Sequence, residues 1–95
     1  MSALLVVHAN IKNTDKLAQY SQEAAKTLAE FNATIKNKGQ LNHIFHGKHD
    51  FQSIALIEFP DVESIKSWYQ STGYQSLIPI RNEAAEMVFT SYQLA

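Results

Sequence analysis

The sequence predicts an α+β domain in which strands and helices alternate, and three observations predict it. Runs rich in leucine and β-branched residues occur at ALLVVHANI (Ala3–Ile11) and SIALIEF (Ser53–Phe59), the composition of buried or half-buried strands. Between them Leu17, Tyr20, Ala24, Leu28 and Phe31 recur at helical spacing. A second apolar stripe, Val62, Ile65 and Tyr69, follows the second run.

Along Ala3–Ile11 one alternate set, Leu5, Val7, Ala9 and Ile11, is wholly apolar, while Leu4, Val6, His8 and Asn10 turn polar at His8. Asn13, Thr14 and Asp15 offer side-chain oxygens to the free N–H groups of a helix expected to reach about Asn32. Its remaining surface carries Gln19, Gln22, Glu23, Lys26 and Glu30, so one face packs and the other is wet. Ala33–Lys38 and Leu41–His46 read as two short strand pieces separated by Gly39. In Ser53–Phe59, Ile54 and Leu56 share a face with Glu58, and Ala55, Ile57 and Phe59 form the other. Pro60 ends this strand and Asp61 caps the next helix. Gly73 interrupts that helix and is expected to form its C-terminal turn. The helical pattern resumes over Tyr74–Ala85, and Met87–Leu94 alternates as a last strand.

The order amounts to βαββαβ, the ferredoxin-like plan in which helices cover one face of an antiparallel sheet. The whole chain, residues 1–95, forms one domain. A sheet covered on one side alternates cleanly, yet both strong strands are apolar on both faces for much of their length. No element remains to cover the second face, so a second copy of the chain is expected there. The predicted assembly is a homodimeric α/β barrel.

Composition removes several functions. The chain has no cysteine, which excludes disulfides, thiolate metal sites and a Cys nucleophile. Eight basic residues face nine acidic ones, a net charge of −1, without the basic footprint of a nucleic-acid surface. Lys36, Lys38 and Lys48 read as a solvated loop. The N-terminal segment lacks a basic leader and has an apolar run too short for a signal peptide or a membrane span. A soluble, cytoplasmic protein without membrane contact is expected. No glycine-rich nucleotide loop and no zinc-peptidase or esterase motif is present, so no cofactor is expected.

The segment IEFPDVESIKSWYQSTGYQSLIPIRNEAA resembles the signature half of the family called domain of unknown function 1330, through Glu58, Phe59, Pro60, Trp68, Tyr69, Ser71, Tyr74 and Arg81. The first strand and the helix containing Tyr20 fit the same pattern. The resemblance implies the dimeric α/β-barrel fold, in which two ferredoxin-like sheets pack face to face, and brings no established activity. Two positions depart from the family pattern: Asn32-Ala33 stands where a Gly-Gly is usual, and His46 where an acidic residue often precedes the hairpin glycine.

Four sets of residues carry chemistry. His43, His46 and His49 are spaced three apart, but on a strand and turn that spacing points them to opposite faces, so no metal site is expected. His8 and Glu58 were both polar on otherwise apolar strands; with those strands side by side and parallel, they are expected near one end of the sheet, as an acid–base pair or a structural ion pair. Arg81 shares a helix face with Tyr74 and Leu77, and Glu58 is its expected partner, with a ligand carboxylate as the alternative. Pro79, just before it, is expected to loosen the helix locally. Tyr69 is expected to pack inward, Trp68 to sit at the margin of the stripe, half exposed or capped by the partner chain, and Tyr74 to open the next helix. Together Trp68, Tyr69, Tyr74 and Arg81 would wall a cleft for a small organic ligand, with His8 and Glu58 as its catalytic floor. The rival reading is a non-catalytic dimerisation or ligand-sensing domain.

Overall fold

In the computed structural model, which describes residues 2–95, the chain runs β1 (Ala3–Ile11), α1 (Thr14–Glu30), β2 (Thr34–Gln40), β3 (Ser53–Phe59), α2 (Val62–Gln70), α3 (Thr72–Gln75), α4 (Ile78–Ala84) and β4 (Ala85–Gln93). The strands form a single antiparallel sheet in the order β2-β3-β1-β4. This is the ferredoxin-like α+β arrangement read from the sequence.

The helix starts are chemically specified. The Asn13 side chain accepts the Lys16 N–H at 3.0 Å, and the Asp61 side chain accepts the Ser64 N–H at 2.7 Å, each satisfying a donor that has no partner within its helix. Asp61 is held below the usual carboxylate range by those hydrogen bonds from Ser64. At the other end of α1 the Ala33 and Asn32 N–H groups return to the carbonyls of Leu28 and Ala29, with Asn32 at φ 57°. That left-handed residue normally calls for glycine, and asparagine is the side chain that tolerates it next best. Asn32-Ala33 therefore closes the helix without the usual Gly-Gly.

Residues opposite each other on antiparallel strands point to the same face. Leu5 lies opposite Ile57 and Ser91, and Val7 opposite Ala55 and Phe89. This face meets Tyr20, Ala24 and Leu28 of α1, Ile65 and Trp68 of α2, and Tyr74 of α3 in a single core. The opposite face carries Leu4, Glu58 and Tyr92 in one row, then Val6, Leu56 and Thr90, then His8, Ile54 and Val88. All the helices join the first face, and the molecule is a slab measuring 35 × 34 × 17 Å.

Several expectations are corrected. β1 and β3 are adjacent but antiparallel: α1 returns the chain so that β2 restarts in the direction of β1, and the β2–β3 reversal then turns β3 around. Of the two strand pieces expected on either side of Gly39, only the first forms: it is β2, which runs on through Gly39 and bears an irregularity between Ile35 and Asn37. Leu41–His46 is not a strand; residues 41–52 form an irregular loop. The helix expected over Tyr74–Ala85 is two short helices, and Gly73 lies inside α3 rather than in a terminal turn. The break falls at Ser71, which is extended (ψ 147°) and whose hydroxyl accepts the Tyr74 N–H. Pro79 sits in the first turn of α4, where its missing N–H has no intrahelical partner to lose, so it starts that helix rather than loosening it. No helix among the described residues is long and apolar enough to cross a membrane.

Candidate functional site

The backbone of α1 approaches α4 and α3 most closely, and side chains bridge from it to the sheet. Facing one another across that gap are small residues, Ala24 and Ala25 on α1 against Ala9 and Ala55 on the strands and Gly39 at the edge. Where close packing needs large side chains these supply little volume, and a cavity of about 430 Å³ remains between α1 and the sheet. Val7, Leu17, Leu28, Ile57, Trp68 and Phe89 supply most of its apolar wall, while Tyr20, Ser21, Lys38, Gln40 and Ser53 supply polar groups. Its size falls within the range of small-ligand pockets, roughly 300–1,000 Å³.

Beside the cavity α2, α3 and β4 assemble an aromatic cluster. The Trp68 ring lies 4.2 Å from that of Tyr74, 5.7 Å from Phe59 and 6.4 Å from Phe89, the last nearly parallel. Tyr69 lies 5.3 Å from Tyr74. Trp68 is 1% exposed, and its indole N–H donates to Thr27 Oγ1 at 2.9 Å, which in turn donates to the Ala24 carbonyl. It is thus a core residue tied to α1, not the marginal one expected from its place on the helical stripe. Tyr69 is half-buried.

Arg81 threads this cluster. Its Nη1 donates to the hydroxyl oxygens of Tyr69 and Tyr74, both at 3.1 Å, and its guanidinium carbon lies 5.1 Å from the centre of the Phe89 ring. The Tyr74 hydroxyl is also 2.7 Å from that of Tyr20 on α1. Burial raises the Tyr20 phenol well above the ordinary tyrosine value, and the neighbouring Tyr74 reinforces the shift. Burial also raises Tyr74, against its hydrogen bonds with Tyr20 and Arg81. For Arg81 burial acts downward, but the hydrogen bonds to Tyr69 and Tyr74 prevail and the net shift is up. At neutral pH Tyr20 and Tyr74 are therefore neutral phenols joined to the Arg81 cation. Arg81 itself does not line the cavity; it lines a separate groove of about 390 Å³ with Leu5, Ile65, Lys66, Tyr69 and Ser91.

The structure thus gathers Trp68, Tyr69, Tyr74 and Arg81, four of the residues singled out in the sequence. His8 and Glu58 are not among them. They share the sheet face turned away from the helices but lie opposite Ile54 and Leu4 respectively, four residues apart along β1, or roughly 13 Å at the rise of a strand. The expected acid–base pair does not form, and the cleft has no His8–Glu58 floor. Glu58 pairs with Lys36 at 3.7 Å rather than with Arg81, because the two lie on opposite sides of the sheet. His8 instead meets His49 and Phe51, with ring centres 5.1 and 6.0 Å away. His43, His46 and His49 all sit in the 41–52 loop and are exposed. Tyr20 is the site residue that the sequence reading left in the core stripe. Its hydroxyl is distinguished only by its contact with Tyr74, 54 positions away.

The family model described as Domain of unknown function (DUF1330) matches residues 2–92. The chain belongs to this family. No curated protein matches the DUF1330 chain. Among solved structures, the RPA0582 protein of unknown function from Rhodopseudomonas palustris superposes with a TM-score of 0.81 at 11% identity, covering 99% of this chain and 82% of that one. SnoaB, a cofactor-independent oxygenase from Streptomyces nogalater, gives 0.72 at 7% identity, covering 99% and 93%. A dimeric ferredoxin-like protein of unknown function from Jannaschia sp. CCS1 gives 0.73 at 8% identity, covering 99% and 100%. At these identities the likeness is one of fold.

Proposed function

We propose that this DUF1330 protein is a homodimer that binds a small, mostly apolar organic molecule in the cavity between α1 and the sheet, and needs no cofactor to do so. The observation that carries the reading is the cavity: about 430 Å³ of space, walled by aliphatic and aromatic side chains, in a domain of 95 residues. A domain this small has little apolar burial to spare, and leaving such a volume empty forfeits packing that larger side chains at Ala24 or Ala55 would supply. An occupant restores it. That the cofactor-independent oxygenase SnoaB shares the fold fits a chemical transformation of the bound molecule, whereas a purely structural dimerisation domain has no use for the space. Trp68, Tyr69, Tyr74 and Arg81 serve the site from one side, Trp68 as wall and the others as its polar support.

The test uses N-phenyl-1-naphthylamine, a neutral apolar fluorophore. One molecule per chain is expected to bind with enhanced emission, and Ala24→Phe, which fills the cavity, is expected to abolish binding. Native mass spectrometry of the purified protein should in addition show a small organic adduct released on denaturation. A wild-type protein that binds no fluorophore and carries no adduct overturns the reading.

A further inference from the structure

The hydrogens of the buried hydroxyl chain can be assigned by counting donors and acceptors. Arg81 has only donors, so Tyr74 accepts from its Nη1 at 3.1 Å. Tyr74 is fully buried, and among the described residues its hydroxyl meets only Arg81 and Tyr20. Arg81 cannot accept. The Tyr74 hydrogen therefore goes to the Tyr20 oxygen at 2.7 Å, since the alternative leaves a buried donor without a partner, at a cost of about 1–3 kcal/mol. With its oxygen so occupied, Tyr20 still holds its own hydrogen. Among the described residues no second acceptor meets that hydroxyl, and Tyr20 lines the cavity.

We infer that the chain Arg81→Tyr74→Tyr20 is a polarised relay whose last hydrogen points into the cavity, so the ligand is a flat apolar molecule carrying an oxygen acceptor, a carbonyl or a phenolate, that docks on the Tyr20 hydroxyl. This rests on the cavity being a ligand site, as proposed above. Arg81 stands outside the cavity and acts through two neutral hydroxyls, so it strengthens Tyr20 as a donor without itself entering the apolar wall. Such coupling along a hydrogen-bonded chain polarises each successive donor. Tyr20 is the binding group; Tyr74 and Arg81 are positioning residues.

The experiment compares two probes of nearly equal size, 2-acetylnaphthalene and 2-ethylnaphthalene, by equilibrium dialysis against the full chain. The ketone is expected to bind about fivefold tighter, the range of one neutral hydrogen bond, and Tyr20→Phe is expected to equalise the two without weakening the hydrocarbon. A second measurement needs no variant: the carbonyl stretch of the bound ketone is expected below its position in hexane. Equal binding of both probes to the wild type, a preference that persists in Tyr20→Phe because Ser21, Lys38, Gln40 or Ser53 supplies it, or a carbonyl stretch at the hexane value overturns the inference and leaves the cavity reading standing. Failure of both probes to bind overturns the two together.

Discussion

Tyr20 and Tyr74 meet hydroxyl to hydroxyl at 2.7 Å, joining the middle of α1 to a neighbouring helix of four residues. Both are buried; Tyr74 also accepts from Arg81, which leaves Tyr20 as the acceptor for its own hydrogen. Tyr20→Phe is expected to strand the Tyr74 hydroxyl and destabilise the fold by about 1–3 kcal/mol, whereas the double Phe variant removes donor and acceptor together and loses less than the sum of the single changes. Urea midpoints of the four proteins check this. Additive losses would mean that the hydroxyls do not act as a pair.

The same pair sets the alkaline limit of the fold. Burial raises both phenols above their ordinary value of 10.0. A group whose folded pKa is raised contributes stability that is fully present below the unfolded value and is lost as pH rises through the folded one. Above about pH 10 the unfolded chain releases these protons while the folded chain keeps them, so stability falls by up to about 1.4 kcal/mol per pH unit for each phenol. Urea melts from about pH 9 to 11 are expected to show this decline, and Tyr20→Phe to flatten it. A wild-type profile as flat as that of the variant would place the phenols in water.

Much of the fold was legible because each signal was local. Asn13 and Asp61 announced two helix starts, and the stripe through Tyr20, Ala24 and Leu28 gave the face that α1 buries. The direction of β3 was also deducible, by following the chain through α1 and the β2–β3 turn, but hydrophobic alternation alone carries no direction. The site was harder to read. Arg81 on an apolar face correctly demanded a partner, yet composition could not choose between Glu58 and tyrosine hydroxyls, since that depends on which side of the sheet each occupies. The cavity was invisible because Ala9, Ala24 and Ala55 read as ordinary core residues until their mutual distance is known.

Glu58 lies on the sheet face opposite Arg81 and makes a long, partly exposed ion pair with Lys36. Glu58→Gln is therefore expected to change stability by only about 0–1 kcal/mol, while Arg81→Met, which removes the donor to two tyrosines, costs more. A double-mutant cycle between Glu58 and Arg81 is expected to be additive within about 0.5 kcal/mol. Substantial coupling would contradict the placement of the two on opposite faces.

Gly73 lies in α3 with no positive φ, and a Cβ there would meet Thr27 Cγ2 at 3.5 Å, ordinary van der Waals contact. Neither conformation nor space requires glycine. Gly73→Ala is expected to stabilise the protein by about 0.4–1 kcal/mol, through the reduced freedom of the unfolded chain. A loss of stability in thermal or urea melts would show that α3 needs a glycine for reasons other than its backbone or its packing.

The outer face of the sheet has the composition of an interior. Leu4, Val6, Ile54, Leu56, Val88 and Tyr92 lie across the central strands β3 and β1 and the edge strand β4, with Val88 41% and Tyr92 52% exposed. The slab is only 17 Å thick, enough for one sheet and one layer of helices, and a second sheet stacks at roughly 10 Å. Face-to-face pairing with another copy would cover this apolar surface, while the cavity lies between α1 and the sheet. Light scattering at micromolar concentration is expected to give twice the chain mass. Val88→Glu places a charge on the β4 part of that face, where burial without a partner is strongly unfavourable. It is expected to yield a folded monomer, with an unchanged helical signal by circular dichroism and probe binding retained within each chain. A wild-type monomer, or a Val88→Glu protein that remains dimeric, would remove this face from the assembly.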